Sequence, residues 1–473
     1  MPGACGLHSS DAGDPAYFGQ NSLSGAAHNS KFSGWFRANA AGAALFLFLQ
    51  LLLPPAGFGY AVLAHQALID TTWESNIKPL LKARYPDATE EQLSAAQAYA
   101  YGGSIIQDLG YYPHGSPFFS DLTHYVRSGD FVLALLRDAQ NVYDYAFAVG
   151  ALSHYATDNQ GHRLATNRAV PVLYPKLKVK FGDFVTYEDD TLAHVKTEFG
   201  FDVLQVAQGQ YAPESYHDFI GFEVSRPLLD QAFQQVYGIE LNSVLNDEEK
   251  ALNSYRRDVS KLIPEATRIA WSLKSKEIKA DEPGATHRKF LYNLSRAEFE
   301  KQWGKDYQRP SRKERFYAFL YKLLPKIGPL RVLQLKTPTP ETEKMFEASF
   351  NASVQEYQHL LGDEQRGTLR LPNLNFDVGS ETAGGKYRLN DDAHAQLLHR
   401  LAENKFGCVS PDLRKEILTF FANADAPYNG KQDKKTWDRI QAELESLKEM
   451  EPVAGPVHPI FLGLPAGVNP RAD

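Results

Sequence analysis

The chain has 473 residues, enough for two or three domains and a sizeable buried core. Its 43% hydrophobic and 23% charged residues are the balance of an ordinary globular protein, not of a disordered or fibrous one. A net charge of −7 argues against a nucleic-acid-coating protein, which would be basic, and two cysteines argue against a disulfide-stapled scaffold.

The N-terminus reads as a targeting leader. Lys31 and Arg37 precede an apolar run from Ala38 to Leu53, shorter than the ~20 residues of a membrane span and close to a signal-peptide core. Small residues follow at Gly57 and Gly59, as a signal peptidase needs. Cleavage after Gly59 would leave Tyr60 as the first residue of a secreted or periplasmic protein. The expected organisation is a leader over 1–59, a chemistry-bearing domain over 60–245 and a helical region of unknown role over 246–473.

In chain order, the first histidine is His65, five residues after the α-amino group that cleavage would free. An amine with a pKa near 8 can bind a metal at neutral pH. Thr89-Glu-Glu-Gln92 is a capping box that starts a helix, with Gly102-Gly103 at its expected end. A Gly/Pro-bearing loop then carries Asp108 and His114, followed by His124. A short apolar helix is expected from Asp130 to Ala139. The next runs from Tyr143 to Asn159 and carries His154 and Asp158, with His162 just beyond.

Lys176-Leu-Lys-Val-Lys-Phe181 alternates with period two and reads as an extended segment, packed over the helices or, alternatively, serving as a basic, apolar lid facing phospholipid. A helix from Asp190 to Gln208 carries His194, Glu198 and Asp202, with Gly209 placed to end it. Another spans Pro227 to Tyr237, before Gly238. Pro264 is expected to break a long helix, and Ser275 to Lys289 reads as a linker. Helices are expected near 291–302, 312–324, 340–361, 391–404, 411–424 and 433–450. Gly379 to Lys386 is Gly-rich but lacks phosphate-loop spacing and reads as a flexible loop. No chemistry is legible in 290–473.

Four His-x3-acid pairs occur: His154/Asp158, His194/Glu198, His359/Asp363 and His399/Glu403. Roughly one or two are expected by chance, so position must decide. Side chains at i and i+4 lie about 5–6 Å apart on one helix face, close enough for an imidazole and a carboxylate to share a metal. The first two pairs lie near one another with His162 between them. The last two read as solvated helix surface.

In order, Tyr60, His65, Asp108, His124, His154, Asp158, His162, His194 and Glu198 resemble the pattern of the zinc-dependent phospholipase C family. That family shares its fold with single-strand-specific nucleases and with the catalytic domain of glycosylphosphatidylinositol phospholipase D. The resemblance covers roughly Tyr60 to Leu241. It implies an all-α fold, a phospholipase C or zinc nuclease-like helical bundle, here with a helical C-terminal extension.

It further implies up to three zinc ions. Asp108, His124 and His154 would hold one, with Asp158 bridging. His162, His194 and Glu198 would hold a second, and His65 with the amino and carbonyl groups of Tyr60 a third. His124 is preferred over His114 because Tyr125 after it keeps the family's His-aromatic step. Asp202, on the face of His194 and Glu198, would orient a ligand.

The implied chemistry is hydrolysis of a phosphodiester by metal-activated water, with Asp108 the candidate to accept a proton. The implied substrate is a phospholipid or membrane surface, with no stable nucleic-acid partner. The alternatives are a single-strand nuclease or nucleotidase of the same fold, and a non-catalytic, zinc-stabilised helical surface protein.

Overall fold

The structure, a computed structural model, describes residues 61–212, 217, 220–245, 247–280, 312–323, 331–422 and 434–450. The leader, Tyr60 and the expected helix 291–302 lie outside the described residues. The described residues all belong to one compact unit, Leu52–Asp473.

The first half comprises α1 (Val62–Thr72), α2 (Lys78–Arg84), α3 (Glu90–Gly103), α4 (Pro117–Tyr125), α5 (Ser128–Asp138), α6 (Val142–Gly161), α7 (Asn167–Leu173), α8 (Pro175–Phe181), α9 (Thr191–Gln208) and α10 (Arg226–Tyr237). There follow α11 (Leu241–Val244), α12 (Glu248–Arg257), α13 (Ile263–Ala280), α14 (Arg312–Leu323) and α15 (Pro340–Arg366). The last elements are the antiparallel pair β1 (Leu374–Asn375) and β2 (Ser380–Glu381), then α16 (Arg388–Glu403), α17 (Pro411–Phe420) and α18 (Lys434–Glu449). The fold is all-α, with those two short strands as the only sheet among the described residues.

Helix α6 is the axis. Its middle, Tyr145 to Leu152, is apolar on every side, and nearly all of the helix is buried, as expected of a helix hydrophobic all round. Asn141 caps it, accepting from the N–H groups of Tyr143 and Asp144. On one side α3 lies almost in backbone contact with it. A Cβ on Gly150 would stand 2.2 Å from the Ala100 carbonyl oxygen, and one on Gly103 would stand 1.9 Å from that of Phe147. Gly102 and Gly103 stand in the last turn of α3, where the helix ends: Gly103 admits the approach of α6, and Gly102 that of the Glu223 carbonyl, whose oxygen would lie 1.6 Å from a Cβ there. On another side α15 packs, and its Tyr357 hydroxyl donates to the Val149 carbonyl at 2.9 Å.

Three expectations are corrected. Lys176–Phe181 is helical, in α8: Pro175 sits in its first turn, and helical spacing puts Leu177 and Phe181 together against Val170, Val185 and Ala193, with Val179 exposed. Pro264 breaks no helix. Residues Asp258–Leu262 form a π turn, and the helix continues as α13. The wider turn accommodates a residue that lacks an N–H and would clash with the carbonyl four back. The expected linker at 275 is helical as far as Ala280.

Candidate metal centre

Six elements place the nine-residue pattern, apart from Tyr60, in one buried region. Helix α1 brings His65, the 3-10 turn Ile106–Tyr111 brings Asp108, and α4 brings His124. Helix α6 brings His154 and Asp158, and the π turn His162–Thr166 that follows it opens on His162. Helix α9 brings His194 and Glu198. All eight residues are at most 5% exposed.

Asp158 stands between three imidazoles. Its Oδ1 lies 3.3 Å from His65 Nε2, and its Oδ2 lies 3.3 Å from His124 Nε2 and 3.1 Å from His154 Nε2. Asp108 Oδ1 is 3.2 Å from His124 Nε2. The His65 and His154 rings stack at 4.6 Å. In the second group, Glu198 Oε1 lies 2.8 Å from His194 Nε2 and 3.3 Å from His162 Nε2.

Three triplets of donor atoms converge closely enough to hold an ion: His65/Asp108/His154, His124/His154/Asp158 and His162/His194/Glu198. Two donor atoms on one tetrahedral zinc, each about 2.0–2.2 Å from it, stand about 3.4 Å apart. The separations seen here, mostly 3.1–3.3 Å, fit that spacing.

The polar atoms have the same implication. Both oxygens of Asp108, Asp158 and Glu198 are buried and accept no aligned hydrogen bond, an arrangement that is costly without a cation. Two imidazoles are instead anchored from behind. His154 Nδ1 donates to the Ser104 carbonyl at 3.0 Å, and His124 Nδ1 to the Ser120 carbonyl at 2.8 Å. Each bond fixes the tautomer that leaves Nε2 free to bind a metal. The glycine contact between α3 and α6 is what carries Ser104 to His154.

Charge is balanced within the cluster. Burial lowers the pKa of His124, but contact with Asp108 and Asp158 outweighs it and raises the value to about 9. Burial, together with His154, pushes His65 below its usual range. Asp158 is held well below the carboxylate range: burial opposes this, and the neighbouring imidazoles His154 and His162 prevail.

His114 is exposed, in a left-handed conformation, and outside the cluster. Asp202 acts on α1: its Oδ2 accepts from the Leu63 N–H at 3.0 Å and its Oδ1 from the Tyr211 hydroxyl at 3.2 Å, two residues ahead of His65. His359 and His399 pair with Asp363 and Glu403 on exposed helix faces, as expected.

One residue was not legible in the sequence. Asp377, just after β1, is 1% exposed, and its Oδ1 lies 3.3 Å from His162 Nδ1. Its neighbour Phe376 packs against His124 and His154 at 5.4 and 6.0 Å. A turn sequence more than 200 residues from His162 carries no periodicity that would have linked the two. Among the described residues no helix is long and apolar enough to cross a membrane.

Residues 63–247 match the family described as zinc dependent phospholipase C. No curated protein and no solved structure matches the chain.

Proposed function

We propose that the chain, whose residues 63–247 match the zinc dependent phospholipase C family, is an exported phosphodiesterase that hydrolyses phospholipid head groups. The observation that carries the reading is Asp158, a buried carboxylate whose two oxygens face three imidazoles without an aligned hydrogen bond. His65, Asp108, His124, His154 and Asp158 would hold one part of a zinc cluster, and His162, His194 and Glu198 the other, up to three ions in all. Once the leader is removed, the amino group of Tyr60 would join His65.

Zinc when bound supplies Lewis acidity and makes water ionise near neutral pH. The protein's part is orientation and proton handling. The carbonyls of Ser104 and Ser120 keep two imidazoles in one tautomer. Asp108, with one oxygen turned to His124 and neither hydrogen-bonded, accepts the proton of the attacking water and returns it to the departing alkoxide. Tyr111 and Tyr187, both partly exposed, stand beside His124 and His194 and mark the side from which substrate approaches.

Purified protein should release head group from phosphatidylcholine vesicles and lose that activity on chelation. Cleavage of single-stranded DNA in place of lipid would favour the nuclease of the same fold. Bound zinc with no turnover on either would favour the non-catalytic protein. Asp108→Asn should keep zinc and lose roughly 10²–10⁴-fold in rate; full activity with zinc bound would remove Asp108 from the proton-transfer role.

A further inference from the structure

We propose that Asp377, supplied by the C-terminal region outside the matched segment, is a positioning residue of the metal centre. Its Oδ1 lies 3.3 Å from His162 Nδ1 and would take the Nδ1–H of a metal-bound His162, committing Nε2 to the metal. The proposal rests on the reading that His162, His194 and Glu198 hold zinc.

The two nitrogens of His162 face different carboxylates. Nε2 is 3.3 Å from Glu198 Oε1, on the side shared with His194, and Nδ1 is 3.3 Å from Asp377 Oδ1. An imidazole gives one nitrogen to an ion, and a carboxylate behind the other fixes tautomer and ring orientation. His124 and His154 have backbone carbonyls in that place. For His162 it is Asp377.

The two oxygens of Asp377 also divide the work. Oδ2 is fully used in seating the segment: it accepts from the Tyr187 N–H at 3.0 Å and from the Tyr387 hydroxyl at 2.7 Å. Oδ1 is buried, accepts no aligned hydrogen bond, and faces His162 Nδ1 at 3.3 Å. A purely structural aspartate would need Oδ2 alone. The backbone is held as well. The Asp377 N–H donates to Asn375 Oδ1 at 2.9 Å, and its carbonyl accepts from Asn167 Nδ2 at 2.7 Å, at the start of α7 and directly after the π turn that His162 opens. The turn at Gly379, with φ +66°, rests against the Asn159 carbonyl and the Arg163 side chain, astride the same turn of helix.

Asp377→Asn is the discriminating variant. Its amide oxygen can replace Oδ2, while its NH₂ would face Nδ1, demand an acceptor there and drive the proton to Nε2. Zinc count by native mass spectrometry and chelator competition on the full chain should show one class of zinc weakened by ~10–100-fold, the others unchanged. The metal-free melting temperature should fall, because the buried Asp377–His162 pair is lost, so zinc affinity is read well below that melt. Tyr387→Phe, which removes only a seating bond, should lower melting and spare zinc affinity. In a His162→Gln background Asp377→Asn should add nothing, since its effect runs through His162. Unchanged zinc affinity in Asp377→Asn, or the same loss with and without His162, overturns the proposal. Starting protein that binds no zinc overturns the underlying metal reading instead.

Discussion

Asp158 gathers three histidines from three helices, and its neighbour His124 gives the cluster a pH signature. In metal-free protein His124 has a pKa of about 9, against 6.5 for an ordinary histidine, because Asp108 and Asp158 outweigh burial. A raised folded pKa contributes stability that is full below 6.5 and is lost as pH rises through 9. Asp202, raised to about 8 chiefly by burial, adds a decline of the same sign between its unfolded value and 8. Chelator-stripped protein should therefore melt at progressively lower temperature from pH 6.5 to 9. Zinc-loaded protein should not show the part of that fall above pH 8, because zinc has already displaced the His124 proton. Equal slopes with and without zinc would contradict the assignment of His124 as a ligand. The i, i+4 pairs His154/Asp158 and His194/Glu198 were legible because helical spacing is local. Asp377 was not, because its approach to His162 is made by tertiary packing.

At the level of elements, two local deviations position the site. The π turn His162–Thr166 closes on a bond from the Asn167 N–H to the His162 carbonyl, five residues back, which inserts an extra residue where α6 passes into α7. Sequence spacing alone gave a helix ending near Asn159, since nothing in the composition marks a π turn. Related turns at Trp73–Ile77 and Asp258–Leu262 precede Pro79 and Pro264 and contain the residues four back from them, Ser75 and Ser260. Pro264 was readable as a disruption, but the structural response to it was not. Likewise, alternation in Lys176–Phe181 fitted two periods, and Pro175 together with the apolar cluster under Leu177 and Phe181 decides for helix.

The second deviation is the glycine seam between α3 and α6. Gly150→Ala would place a methyl group 2.2 Å from the Ala100 carbonyl oxygen. Overpacking of this kind costs about 1–3 kcal/mol and moves the Ser104 carbonyl away from His154. The expected result is a lower melting temperature together with weaker zinc binding in chelator competition. Loss of stability alone would mean that the seam does not set the His154 anchor.

Across the molecule, the division at 245 suggested by the sequence separates parts that the fold joins. Helix α15 covers α6 through Tyr357, and the segment at 372–377 docks on α5 and α6: the Ser128 hydroxyl donates to the Leu374 carbonyl at 2.6 Å and the Tyr155 hydroxyl to that of Pro372 at 3.0 Å. A chain cut after residue 247 would expose this apolar surface and lose Asp377. It should give no cooperative melt by circular dichroism, whereas the full chain should; a cooperative, zinc-retaining truncation would show the C-terminal helices to be dispensable.

The most direct measurement is the zinc content of gently purified full-length protein by mass spectrometry, with phosphatidylcholine hydrolysis followed on the same sample before and after chelation. Two to three zinc ions per chain, removed by chelator along with the activity and restored with it, is the expected result. A protein that carries no transition metal, or hydrolyses lipid equally well without one, would contradict the account.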